Sequence, residues 1–420
     1  MLTAALLLMG AMLIALALAD WPLRPWPLSP AVIYLTVGWV AGALWGAPNT
    51  DLLVQQAAPL AFISELAVLV SLFAVGLRLR VPPTLRVWRV ALLLAGPGMV
   101  VTIALATVAA HQVLGLPWPA ALLLASVVAP TDPVLASDVQ IESSQDRDVV
   151  RLSLTAEGGL NDGSALPGVM LGLGLLGLHR LGDFGLRWWW ADFVWPIGGG
   201  ALLGAAIGWL LGQALHWRLT HGDTVARDEL VYVGAVALSY GLARAVHASS
   251  FVVAFAAGVM LLLPLRRLAV ESGTGSAGGS NAEALKERLH GFGARIERLI
   301  EAGLVLAVGG ALSGVGAGWA DVGFALLLVG AVRPASVLAV VRRRAMPPSQ
   351  RRLVGWFGIR GIGSLFYLLF VLEHGLPRDL AQTLVTATLT CVAVSIVLHG
   401  MSATPLMTAY KRRRSRLPRP

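Results

Sequence analysis

The chain has 420 residues, 56% of them hydrophobic and only 13% charged, with a mean hydropathy of +0.74. A soluble domain carries about twice that charged fraction, so the composition is that of a membrane protein and excludes a large soluble domain. The single cysteine, Cys391, excludes an intrachain disulfide and a cysteine metal cluster. The formal net charge of +9 comes from arginines in short bursts between apolar segments, which argues against nucleic-acid binding.

Crossing a bilayer takes roughly 20 apolar residues. Thirteen candidate spans follow in chain order: 2–20, 29–46, 57–77, 89–111, 118–140, 149–178, 190–216, 229–244, 248–264, 296–317, 320–341, 352–373 and 380–409. Ala17-Leu18-Ala19 resembles a signal-peptide cleavage site, but no basic segment precedes the apolar run, so 2–20 is read as a span. The fifth, sixth and twelfth spans are interrupted by Pro, Gly and charged residues. Trp188, Trp189 and Trp190 fall at a predicted outer interface, where an aromatic belt is expected. The Gly/Ser-rich stretch Glu271 to Asn281 reads as flexible, within a cytoplasmic loop at 265–295, with a short amphipathic segment near Lys286 to Arg298. Residues 1–420 thus form a single transmembrane domain closing on a basic tail at 410–420.

Orientation follows from where the basic residues lie. With Lys411, Arg412, Arg413, Arg414, Arg416 and Arg419 in the cytoplasm, alternation through thirteen spans places nearly all of the 32 Lys and Arg on that side. The opposite side receives only Arg180, Arg187, Arg244 and Arg378, while Arg333 and Arg360 lie within spans. The expected protein is multi-pass in the cell inner membrane, with a periplasmic N-terminus and a cytoplasmic C-terminus.

Ionisable groups inside spans are costly and mark function by default. Asp132 sits in Ala129-Pro130-Thr131-Asp132-Pro133, where two prolines remove backbone donors and force the helix to break. Such a break survives at mid-membrane only where it lines a cavity or is buried in protein. At the helical rise, Asp132 lies roughly 20 Å from the outer end of its span and Asp162 roughly 20 Å from the cytoplasmic end of the next. Two carboxylates therefore reach a similar depth from opposite sides. Glu157 and Arg360, the latter in Gly358-Ile359-Arg360-Gly361-Ile362-Gly363-Ser364, each lie roughly 12 Å deep and are expected to pair. Arg333 is at comparable depth.

Glu157, Arg360 and Arg333 read first as structural charges holding helices together. Asp162 reads as a ligand, because four acids (Asp132, Glu157, Asp162 and Glu65) face two arginines and leave an acid to bind a cation. Glu65 divides evenly between ligand and packing partner. Asp138 is read as solvated at a helix end, and no histidine is assigned a role. A partly desolvated carboxylate at mid-membrane takes either a proton or a hard cation. If it cannot hold both and opens alternately to each side, it performs exchange. Asn161 and the oxygens around Thr131 are the neutral donors such a site needs.

At these residues the chain resembles the monovalent cation:proton antiporters of the NhaP type. The resemblance rests on Thr131-Asp132-Pro133, Glu157-x-x-x-Asn161-Asp162, Arg333-Pro-x-Ser-Val and Gly358-x-Arg360-Gly, and it extends over essentially the whole chain. It implies an all-α fold of two inverted repeats, with unwound helices crossing in a core bundle, here the fifth and twelfth spans, and a homodimer formed through another bundle. It implies Asp162 as the main cation and proton carrier and Thr131 as a source of oxygen ligands, with Asn161 and Asp132 organising the site. It also implies Glu157 and Arg360 as a structural ion pair, and no cofactor or enzymatic activity. Asn161 in place of a second aspartate marks the electroneutral branch. The chain departs from the family in the third span, where relatives carry an acid and Phe73-Ala74-Val75-Gly76 has none, with Glu65 two turns away, and at Gly158, where relatives carry a serine, so potassium or lithium stays open beside sodium. The rivals from other classes are a cation channel and an intramembrane aspartyl protease.

Overall fold

Where no water reaches the backbone, its N–H and C=O groups must pair within the segment, so long apolar stretches become helices. The computed structural model describes residues 29–79, 85–132, 148–221, 227–271 and 277–415, with isolated positions beyond them, and its regular structure there is helical. In order these are α1 (Pro30–Trp45), α2 (Thr50–Gln55), α3 (Ala57–Arg78), α4 (Leu85–Leu93), α5 (Met99–Leu114), α6 (Trp118–Val128) and α7 (Val149–Leu175). They continue with α8 (Gly200–Thr220), α9 (Asp228–Ala245), α10 (Ser250–Glu271), α11 (Ala277–Leu312), α12 (Trp319–Leu327) and α13 (Arg333–Val340). The series ends with α14 (Pro348–Trp356), α15 (Ile362–Leu372) and α16 (Arg378–Ser415).

Five described helices are long and apolar enough to cross a membrane: Ala57–Arg78, Trp88–Leu114, Asp183–Thr220, Trp319–Val340 and Arg378–Arg413. Four shorter apolar ones, Pro30–Trp45, Trp118–Val128, Ser250–Arg266 and Ile362–Leu372, lie among them. Several joints within the long helices are π turns. Leu94–Gly98 and Trp188–Gly199 each contain a proline, Pro97 and Pro196, and Leu328–Val332 stands directly before Arg333-Pro334. A proline withholds its N–H and crowds the carbonyl one turn earlier, and a widened turn relieves both.

Helices among the described residues overlap the second to thirteenth expected spans without settling their number, and both expected breaks are present. Helix α6 stops at Val128 before Pro130, and the twelfth span divides into α14 and α15 around Phe357–Gly361. Three expectations need correction. The sixth span is not interrupted: α7 runs unbroken from Val149 to Leu175. Its glycines are filled from outside, Gly159 by the Phe255 ring and Gly163 by Val252, and this packing offsets their poor helix propensity. The stretch 265–295 is largely helix rather than loop, since α10 reaches Glu271 and α11 starts at Ala277. The basic tail begins as helix, because α16 continues to Ser415. The expected span at 2–20, the cleavage-like site and Asp138 lie outside the described residues.

Close helix approach organises the bundle. Gly204, Gly208 and Gly212 of α8 face the backbone of α10 at Val253, Ala257 and Leu261, leaving no room for a side chain between them. Helix α10 in turn packs on α3, and α3 packs on α15. Helix α7 lies against α6 and contacts α15, so both broken spans meet the helix that carries Asp162.

Candidate functional site

The site begins where α6 gives out. Pro130 cannot donate to a helix, and the residues after Val128 leave the helical path. The freed groups find partners in the other broken span: the Asp132 N–H donates to the Ile359 carbonyl at 2.7 Å, and the Ile362 N–H donates to Asp132 Oδ2. Asp132 therefore caps α15, placing its carboxylate at the positive end of that helix. A side chain at Gly361 would overlap the Asp132 carboxylate, so glycine is required by this approach.

Helix α7 is started by Asp148, whose Oδ1 accepts the Val150 and Arg151 N–H groups at 2.9 and 3.2 Å. Three turns further on, Glu157, Asn161 and Asp162 are all buried. The Glu157 carboxylate is held by both terminal nitrogens of Arg333, at 2.5 and 2.8 Å, and Arg333 also donates to the Val354 and Phe357 carbonyls. This bidentate geometry is what a buried ion pair needs to compensate its desolvation.

The expected partnership of Glu157 with Arg360 is therefore corrected to Glu157 with Arg333. Arg360 is 1% exposed, and no carboxylate among the described residues reaches its guanidinium. It donates once, to the Pro130 carbonyl at 3.1 Å, and its Nε and second terminal nitrogen have no hydrogen-bond partner. Its backbone N–H is taken by Ser395 Oγ of α16 at 2.8 Å. Arg360 thus ties the two broken spans together through backbone groups. Arg333 arrives instead because α13 turns its first residue toward α7 directly after the π turn.

Asn161 bridges the two halves of the site. Its amide donates to Thr131 Oγ1 at 2.8 Å and to Glu157 Oε1 at 3.3 Å. Asn161 Oδ1 and Asp162 Oδ1 are both buried without a hydrogen-bond donor. No basic side chain among the described residues lies within ion-pairing distance of Asp162, which is 1% exposed. The carboxylate lies against α15, where a side chain at Gly363 would overlap it. The Tyr367 hydroxyl of the same helix donates to the Asp162 carbonyl.

Glu65 is placed elsewhere. Its oxygens accept from Ser250 at 2.8 Å and Tyr240 at 3.3 Å, joining α3 to α9 and α10, and it makes no hydrogen bond to Asp162, Asn161 or Thr131. The structure therefore brings together Asp132, Thr131, Glu157, Asn161, Asp162, Arg333 and Arg360, and leaves Glu65 outside their network. Tyr367 joins the site without having been singled out. The one available signal was a phenol in an otherwise apolar helix, which needs a partner when buried.

The family pattern described as sodium/hydrogen exchanger, transmembrane, matches residues 9–409. The chain belongs to the sodium/hydrogen exchanger family. Among curated members it is similar to Na(+)/H(+) antiporter 2 of Zygosaccharomyces rouxii, with 31% identity over 187 residues, 43% of this chain and 22% of that protein. It is also similar to the probable Na(+)/H(+) antiporter C3A11.09 of Schizosaccharomyces pombe, with 27% identity over 219 residues, 51% of this chain and 28% of that protein. The matched stretch is thus well under half the length of either relative. Among solved structures, the sodium proton antiporter MjNhaP1 of Methanocaldococcus jannaschii at pH 8 superposes with a TM-score of 0.70 at 17% identity, covering 96% of this chain and 98% of that one. An electron-microscopy structure of the same antiporter gives 0.75 at 17% identity over both full lengths. This exchanger-family chain therefore shares the all-helical antiporter fold along its whole length.

Proposed function

We propose that this chain is a secondary antiporter that exchanges sodium or lithium for protons across the inner membrane, one proton per cation, by alternating access around Asp162. The observation that carries the reading is the state of Asp162, a buried carboxylate with an unpartnered oxygen and, among the described residues, no basic side chain within ion-pairing distance. Such a group is tolerated only when a proton or a cation neutralises it. Arg333 is already engaged by Glu157. Thr131, Asn161 and Asp162 supply the hard oxygen donors that a desolvated alkali cation requires, with the cation held chiefly between Asp162 and Thr131. Asn161, neutral where a second acid would add a charge, leaves one titrating carboxylate per cycle and supports electroneutral exchange.

The proposed orientation keeps the basic C-terminal segment in the cytoplasm and the N-terminus in the periplasm. A homodimer through the helices outside the crossing belongs to the same reading, as do the sodium/hydrogen relatives named above. Potassium/proton exchange is the second reading, favoured by the short ligand set and by the absence of an acid in Phe73-Ala74-Val75-Gly76. A peptide-cleaving aspartate pair has no support, because an acid–base dyad needs two carboxylates sharing a proton and the Asp132 carboxylate is occupied in capping α15.

The test is reconstitution into liposomes with a pH gradient, followed by a lumenal pH dye on addition of sodium, lithium or potassium. Dissipation by sodium or lithium, its loss in Asp162→Asn, and indifference to an imposed membrane potential support the reading. Cation flux without coupled proton movement identifies a channel instead. Silence with all three cations between pH 5 and 9 rules out the antiporter.

A further inference from the structure

We infer that His399 of α16 is a positioning residue for the cation site: with Ser395 and Ser402 it anchors the break in the twelfth span, so that Gly361 and Gly363 are held against Asp132 and Asp162. The assignment rests on Asp162 being the carrier. A break in a span frees backbone groups that need new partners, and here three neighbours supply them. Arg333 takes the Val354 and Phe357 carbonyls. Asp132 takes the Ile359 carbonyl with its N–H and the Ile362 N–H with its carboxylate. Two more groups, the Trp356 carbonyl where α14 ends and the Arg360 N–H before α15 begins, go to α16.

His399 Nε2 lies 2.9 Å from the Trp356 carbonyl, and Ser395 Oγ accepts the Arg360 N–H at 2.8 Å. The Trp356 indole N–H donates in turn to Ser402 Oγ at 2.9 Å. Positions 395, 399 and 402 follow one another by four and three residues and so share one face of α16. A single stripe thus grips both ends of the unwound segment. A carbonyl only accepts, so Nε2 carries its hydrogen whatever the charge of the ring. Nδ1 lies 2.8 Å from the Ser395 carbonyl and 3.2 Å from the Ser395 hydroxyl; it donates to the first in a charged ring and accepts from the second in a neutral one. The hold on Trp356 is therefore independent of protonation, and His399 is an anchor rather than a pH switch. His399 and Ser395 are buried, and the Trp356 and Phe357 rings lie against the imidazole at centroid distances of 5.8 and 6.5 Å. Without the His399 donor, the Trp356 carbonyl keeps only the Gly358 N–H, at 3.0 Å within the break itself. Further along the same segment, Gly361 and Gly363 leave no room for a side chain against the Asp132 and Asp162 carboxylates, so a small displacement of the segment reaches both.

The experiment compares wild type, His399→Gln, His399→Met and Ser395→Ala in proteoliposomes, measuring KM and Vmax for sodium, lithium and potassium at fixed pH. Amide hydrogen exchange over residues 353–366 of the full chain in detergent is the second readout. His399→Met, of similar volume but without a donor, should raise KM for the transported cation about fivefold, the loss of one hydrogen bond, with Vmax within about twofold of wild type. Exchange over the segment should quicken in the same variant. His399→Gln carries an amide N–H at nearly the reach of Nε2 and should restore both readouts, whereas a side chain that only fills space would rank Met and Gln alike. If His399→Met does not fold, Ser395→Ala, which removes the acceptor at the other end, decides by the same two readouts. Unchanged KM and unchanged hydrogen exchange in the folded variant overturn the anchor while leaving Asp162 as carrier, and so does a Gln variant as impaired as Met. If the wild type itself exchanges none of the three cations, the antiporter reading fails, and hydrogen exchange alone decides whether His399 holds the break.

Discussion

The Asp132 carboxylate of one broken span caps the Ile362 N–H of the other, and the Asp132 N–H in turn reaches the carbonyl at Ile359, so two bonds tie the spans across the crossing. A chain unwound in a membrane leaves backbone groups that cannot turn to water, and here each break satisfies the other. The crossing thus satisfies the backbone of both breaks, and Asp132 belongs to its frame.

Asp132→Ala should then cost stability as well as transport. A charge-assisted contact to a buried N–H is worth about 1.5–3 kcal/mol, and Asp132→Asn, which keeps an acceptor oxygen, should lose less. Thermal unfolding in detergent measures both. An Asp132→Ala protein as stable as wild type would show that the cap contributes nothing.

The choice of Arg333 over Arg360 as partner of Glu157 is open to a double-mutant cycle. Glu157→Gln or Arg333→Met alone strands a buried charge and should destabilise by about 3–5 kcal/mol, with the double variant recovering part of the loss. The cycle of Glu157→Gln with Arg360→Met should give a coupling energy of less than half that for Glu157 with Arg333. Equal coupling in the two cycles would contradict the bidentate pair.

Proton and cation competing for one carboxylate fixes the sign of the pH effect. On the proposed role of Asp162, lowering pH on the cation-loading side protonates it and removes the cation's ligand, so the apparent KM for sodium should rise as pH falls. At pH values where protons dominate the free site, one competing proton means about a tenfold rise per pH unit. Saturating sodium should restore Vmax, and a Vmax that falls with KM unchanged would mean the proton acts away from Asp162.

Gly363→Ala tests the approach of α15 to the carrier. The added methyl overlaps the Asp162 carboxylate, so it must displace either the carboxylate or the start of α15. Overpacking of this kind costs about 1–3 kcal/mol and should abolish exchange at normal expression. Tyr367→Phe, which removes only the hydroxyl bonded to the Asp162 carbonyl, should cost about 1 kcal/mol and leave measurable exchange. Radiolabelled sodium uptake distinguishes the two, and wild-type uptake by Gly363→Ala would show that the close approach does not constrain the carrier.

The sequence alone determined where the helices lie and where two of them break, because both are local consequences of the solvent. Apolar runs of sufficient length must satisfy their own backbone, and Pro130 and the glycines around Arg360 prevent that at two places. Asp162, Asn161 and Thr131 stood out for the same reason, as polar groups where polar groups are expensive. Tertiary structure decided which of these groups meet. Arg333 and Arg360 lie at similar depth along their own helices, and depth says nothing about the direction in which a side chain leaves the axis. The π turn before Arg333 aims it at Glu157, while the unwound strand carries Arg360 to the Pro130 carbonyl. Glu65, read evenly as ligand or packing partner, is carried by α3 to Ser250 and Tyr240. Helix rotation and break geometry depend on packing against neighbours distant in sequence, and these set which buried charges pair and which stay without a partner.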